Sequence, residues 1–190
     1  MTRRCKYSQC QNELPPARQC TTFLGKKGLC SDDCAVAYGL EAAQKAADRK
    51  KKKEVRQAKE RLKTRSDYAR DAQRDFNAYI RERDHNKPCI SCGRQHQGQY
   101  HAGHYRTVGA NPELRFEELN CHKQCAPCNN HKSGNIVEYR INLVQRIGQD
   151  ALDWLEGPHE PKKYTIDELK DIAKRYRQKA RELKRKREGL

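Results

Sequence analysis

The chain has 190 residues, of which 41 are Lys or Arg and 25 are Asp or Glu, a formal net charge of +16. Only 35% of residues are apolar and 7% aromatic, so the sequence holds neither a large core nor an apolar run that could cross a bilayer. The charge calls for a polyanionic partner, nucleic acid ahead of an anionic membrane surface. The start, MTRRCKYSQC, lacks the apolar stretch of a secretion signal. That places the ten cysteines in a reducing cytoplasm, where thiols at short paired spacings read as zinc ligands rather than disulfides.

The chain divides into four segments. Residues 1–37 are cysteine-rich and broken by Pro15, Pro16, Gly25 and Gly28. Cys5 and Cys10, then Cys30 and Cys34, form two short pairs that can set four thiolates around one structural Zn²⁺, with Cys20 left as a spare thiol. Residues 38–84 lack proline and are rich in helix formers. Their first part is nearly all charge, with Arg49, Lys50, Lys51, Lys52, Lys53 and Arg56, and reads as a solvated helix or flexible basic arm. From Tyr68 an apolar face appears at helical spacing (Tyr68, Ala69, Ala72, Phe76, Tyr79, Ile80) and should pack on the next domain.

Residues 85–150 carry the second cysteine set and six of the seven histidines. Cys89-x2-Cys92-Gly and Cys125-x2-Cys128, some thirty residues apart, are a strong zinc signal. With four thiolates on that metal, His101, His104, His122 and His131 are free for other work. Beside Asn120, Asn129, Asn130 and Lys132 they suit phosphodiester chemistry, which needs a base near neutral pKa, a hard metal and positive charge. Residues 151–190 end in a second charged helix. Thr165 and Glu168 make its capping box, Ile166, Leu169, Ile172, Ala173 and Tyr176 its apolar face, and Arg181 to Arg187 its basic end.

The order Cys89, Cys92, His104, Asn120, Cys125, Cys128, Asn129, Lys132 resembles the zinc-bearing HNH, or ββα-metal, nucleases. That resemblance implies an α+β chain: a small zinc-bound ββα-metal core, treble-clef-like, flanked by long basic helices and the N-terminal zinc finger. It implies His104 as general base, Asn120 as the residue that holds the hairpin loop and orients His104, and Asn129 with His131 as ligands of a catalytic Mg²⁺ or Mn²⁺. Many members carry an acid just before the catalytic histidine. Gly103 stands there instead, and His101, on the same strand face, could replace the missing ligand. Lys132 would face phosphate, and Arg106 comes just after the strand as a further DNA contact.

Ile80-Arg-Glu-Arg-Asp, Pro88-Cys-Ile-Ser-Cys-Gly, Ala102-Gly-His-Tyr-Arg-Thr, Leu114-Arg-Phe, His122-Lys-Gln-Cys, Cys128-Asn, His131-Lys-Ser-Gly-Asn and Arg146-Ile-Gly-Gln are similar to the NinG (Rap) family of lambdoid bacteriophages. The resemblance spans nearly the whole chain. It implies an endonuclease of phage recombination that acts in the bacterial host cytoplasm on branched double-stranded DNA such as D-loops and four-way junctions. A homodimer would suit symmetric cutting, and host or phage recombination proteins would be its partners. The rival reading is a non-catalytic zinc protein that binds nucleic acid as an adaptor.

Overall fold

The computed structural model describes residues 3–19 and 22–189, so Cys20 lies outside the described residues. The chain is mixed α and β, mostly helical with two small sheets. It divides into two compact units, Met1–Leu62 and Lys63–Leu190. None of its helices is long and apolar enough to cross a membrane, among the described residues.

In the first unit β1 (Arg3–Arg4) and β2 (Glu13–Leu14) pair antiparallel. A short α1 (Phe23–Lys27) precedes α2 (Asp32–Arg61). Ser31 caps α2 by accepting the Cys34 amide at 3.2 Å, and Asp32 and Asp33 complement the positive helix end. No residue of α2 is buried. The basic run is therefore a continuous solvated helix, and it starts six residues before the expected position 38.

Thr64 opens α3 (Arg65–Arg83) with a full capping box to Asp67. The helical stretch 38–84 is thus two helices, and the second belongs with the hairpin and helices beyond it. The compact unit begins at Lys63 rather than at 85, because α3 buries Ala72, Phe76, Tyr79 and Ile80 against the last helix, α6 (Ile166–Glu188). The two helices run parallel. Arg65 donates to the Tyr164 carbonyl near their starts, Arg177 grips Asp75 midway (2.6 Å), and Arg187 meets Glu82 (2.9 Å) near their ends. Parallel dipoles repel, and acids in both first turns with bases in both last turns offset this.

Between α3 and α6 the chain makes a β-hairpin and two further helices. β3 (Tyr100–His104) pairs antiparallel with β4 (Cys121–Cys125), with His104 opposite Cys121 and Tyr100 opposite Cys125. The face carrying Ala102 and Cys121 joins the α3–α6 core with Phe116. The other face meets α4 (Ile136–Ile147), where the Tyr139 hydroxyl donates to the Gly103 carbonyl at 2.9 Å. α5 (Gln149–Glu156) closes a second core of Ile90, Tyr105, Leu114, Tyr139, Leu143, Leu152 and Leu155. The hairpin is thus a middle layer with a helical layer on each side.

Asp84, fully buried at the end of α3, ties this helix to the hairpin. It accepts from Arg83 (2.8 Å) and from the Lys123 amide (3.1 Å), with Lys87 at 3.2 Å. Burial works to raise its pKa, but the Arg83 hydrogen bond and charge, with the Lys123 amide, hold it well below the carboxylate range. Asp84→Asn is expected to cost about 3–5 kcal/mol at pH 7, because it leaves buried Arg83 without its counter-charge. His122 adds a pH dependence. Burial, with Arg83 nearby, pushes its pKa down to about 3, so the unfolded chain binds its proton more readily. Urea unfolding should show stability falling as pH drops below about 6.5, a slope that His122→Asn reduces.

Candidate functional site

Cys5, Cys10, Cys30 and Cys34 converge with all four sulfurs within 4.8 Å of one another, and so do Cys89, Cys92, Cys125 and Cys128. Both sets fit Zn²⁺, which takes thiolates tetrahedrally. In the first, Cys30 Sγ sits 3.5 Å from Cys10 Sγ and 3.3 Å from Cys34 Sγ, and the Asn12 side-chain Nδ2 donates to it. That hydrogen bond, with the one from Cys34, pulls the Cys30 thiol down to about 6. In the second, Cys89 and Cys92 lie on a tight knuckle closed by the Gly93 amide to the Cys89 carbonyl (2.9 Å), with Gly93 at φ 67°, where a side chain is strained. The Cys125 amide donates to Cys89 Sγ at 3.3 Å. His96, which no sequence motif marks, sets its Nε2 3.3 Å from Cys92 Sγ. Cys121 belongs to neither set. It is fully buried on β4, and burial pushes its thiol pKa up.

The second cysteine set brings the Cys89–Cys92 knuckle onto the end of the hairpin and the segment just beyond it. Pro127–His131 forms a π-helical turn rather than the start of an α-helix. Ser133, Gly134 and Asn135 then take positive φ and redirect the chain into α4. Asn129 and His131 therefore stand on a turn, with Asn129 half-buried and donating to Asn130 (2.9 Å) and His131 exposed. Lys132 is exposed beside them.

Asn120 is fully buried and holds the loop between the strands. Its Oδ1 accepts the Arg106 amide (2.7 Å), and its Nδ2 donates to the Arg106 and Leu114 carbonyls. Arg106 turns its side chain onto Asn111 (3.1 Å) instead of presenting it outward. His104 also points inward. Its Nε2 donates to the Arg115 carbonyl at 3.0 Å, its Nδ1 faces Cys121 Sγ at 3.7 Å, and the ring lies against Phe76. Burial lowers its pKa. Both nitrogens are thus engaged by protein, so in this structure the ring is not offered to a water or a phosphate. The cause is strand alternation: residues 100, 102 and 104 share the face that α3 covers.

His101 is on the opposite face, across from Gln124, and its Nε2 is buried without a hydrogen-bond partner. Gln124 donates to Ser91 and to the Gly134 carbonyl, which brings the end of the 127–135 turn over this face. The same side chain explains Gly103. A Cβ there would stand 2.0 Å from Gln124 Oε1 and 2.9 Å from its Cδ. The space an acid at 103 would occupy is filled. Gly103→Ala is expected to cost about 1–3 kcal/mol through overpacking, and pairing it with Gln124→Ala should return much of that loss. Denaturant titration of the four proteins in this cycle checks it, and simple additivity would sink the explanation.

These donors do not fit a hard cation as they stand. His101, Asn129 and His131 are neutral, and among the described residues the two cysteine sets are the only groups of three or more His, Cys, Asp or Glu at ligating distance. In this arrangement they make no ligand shell for Mg²⁺ or Mn²⁺.

With this geometry in place, the comparison with known proteins is direct. The family model described as Bacteriophage Lambda NinG protein matches residues 1–188. The chain belongs to the NinG family. The NinG protein of Escherichia phage lambda is 43% identical over 97% of this chain and 95% of its own length. That of Salmonella phage P22 is 42% identical over 96% and 94%. That of Escherichia phage 933W is 51% identical over 66% of this chain and 63% of its own length. No solved structure matches the chain. The NinG match extends over both cysteine sets and over the hairpin that joins the two halves of the second.

Proposed function

We propose that this NinG protein is an endonuclease of phage recombination that cuts branched double-stranded DNA in the host cytoplasm. The observation that carries this reading is the partnerless Nε2 of His101, on the hairpin face beside a zinc-anchored turn that bears Asn129, His131 and Lys132. A hairpin, a zinc anchor and then a helical segment are the parts an HNH core requires, in the order it requires them. His101 carries a ring nitrogen that no protein group engages, and to it falls the role of orienting or deprotonating water. His104 holds the loop end through Arg115. The exposed basic run of α2, Arg49 to Lys53 with Arg56, and the basic end of α6 supply phosphate contacts whose strength falls with salt.

The test is nicking of a four-way junction by the two-zinc protein with Mg²⁺, with Mn²⁺ and with neither added. Absence of cleavage in all three arms, with junction binding intact, leaves the second reading. That reading is a non-catalytic zinc adaptor that binds DNA in recombination. The inward His104 and the filled space at Gly103 favour it.

A further inference from the structure

A cavity of about 310 Å³ opens where α3 and α6 begin side by side. Arg65, Arg115, Lys162 and Lys163 line it, Tyr164 and Leu169 contribute to its wall, and no carboxylate does. The neighbouring larger groove is different: Glu113, Glu117, Glu168 and Asp171 line it, so its two cations face acids. Among the described residues, Arg65, Arg115 and Lys163 form no ion pair with a carboxylate. Lys162 stands 3.6 Å from Glu168 and 4.7 Å from the Tyr164 ring centre. Arg115 is half-buried, and its one side-chain hydrogen bond goes to the neutral Gln73 (2.8 Å). Burial lowers its pKa and Arg65 adds to this. Arg115 is thus partly desolvated without an anion beside it, while Arg65, Lys162 and Lys163 stand exposed around it, an arrangement that favours an anion supplied from outside the chain. The capping boxes at Thr64 and Thr165 already occupy the helix starts, which leaves the side-chain cations to make the site.

The structure assigns to this cavity the binding of one phosphate group, supplied by the backbone of the DNA. The planar fork of Arg115 suits phosphate oxygens, while Arg65, Lys162 and Lys163 close around them from the rim. The site rests on the reading that this chain acts on DNA, and it adds where a strand is gripped. The Arg115 carbonyl is the acceptor of His104, so the grip falls on the loop that leaves β3.

The experiment measures binding of a four-way junction with 5′-hydroxyl ends, with no divalent metal added, across a salt series. A failure to bind is thereby separated from a failure to cut. Arg65→Gln, on the exposed rim, and Arg115→Gln should each weaken binding about threefold to tenfold and make the salt slope shallower by about one. Arg115→Lys should recover most of the slope. Lys174→Gln, an exposed cation midway along α6, outside the cavity and outside the basic end of that helix, serves as the control for general charge. Inorganic phosphate should shift the Arg65 and Arg115 Nε–H resonances, and the Arg115 shift should weaken in Arg65→Gln.

Unchanged affinity and slope in both glutamine variants, with two zincs still bound, would overturn the assignment. So would an equal loss in Lys174→Gln. A response to inorganic phosphate without any change in junction binding would overturn the DNA backbone as the source, as would an effect confined to 5′-phosphorylated junctions.

Discussion

Replacing His101 by Ala is expected to slow nicking of a four-way junction by about 10²- to 10⁴-fold, the usual weight of a positioned acid–base group. Its Nε2 makes no hydrogen bond whose loss would loosen the hairpin, so zinc content and junction affinity should stay near those of the parent. His104→Ala should behave differently. It removes a ring packed on Phe76 and leaves the Arg115 carbonyl without its donor, which should lower stability by about 2–4 kcal/mol. Below its unfolding temperature that variant should still cut. Paired single-turnover rates and melting curves separate the two. A His104→Ala protein that stays folded with two zincs and yet cannot nick would return the base to His104 and take it from His101.

Loss of the core zinc should have the largest effect on the fold. A structural Zn²⁺ contributes roughly 10–16 kcal/mol of apparent binding energy, as much as or more than the roughly 5–15 kcal/mol by which domains of this kind are stable. Cys89 and Cys92, on their knuckle, meet Cys125 at the end of β4 and Cys128 on the turn beyond it. Without the ion, the four crowded sulfurs no longer tie the Cys89–Cys92 knuckle to Cys125 and Cys128, and that end of the hairpin loses its cross-link. Cys128→Ser is expected to leave about one zinc per chain and to abolish the near-ultraviolet dichroism of the second unit's tyrosines. Cys121→Ala should keep both ions, since that thiol lies in neither set. A Cys128→Ser protein that retains two zincs and a sharp melting transition would refute this account.

Some of this architecture can be read from the amino acids. The cysteine spacings name both sets of four thiols that converge, because the demand of a metal for four ligands says which thiols should meet. The apolar faces of α3 and α6 come from helical periodicity, with Leu169, Ile172, Ala173 and Tyr176 buried as expected, although Ile166 stays partly exposed. The break at Thr64 is signalled by a Thr-x-x-Asp box but carries no Gly or Pro to announce it. The strand containing His101 and His104 is visible in outline, but which histidine faces inward depends on which layer covers which side, and that is a tertiary fact. The same holds for Gln124. Nothing in its local sequence says that its side chain fills the room an acid at 103 would need. Arg115 is marked only by the Leu114-Arg-Phe motif, and its lack of a counter-ion emerges only once the loop is folded against α3.

The parallel course of α3 and α6 sets the order in which the chain can settle. Phe76, Tyr79 and Ile80 emerge from synthesis early, yet the helix that shields them comes last, about a hundred residues later. Long-range closure of this kind is slow and leaves apolar side chains uncovered meanwhile. Shortening the carboxyl end before Ile166 would therefore remove the lid from the hairpin's floor rather than trim a dispensable basic tail, and such fragments should aggregate even with zinc in place.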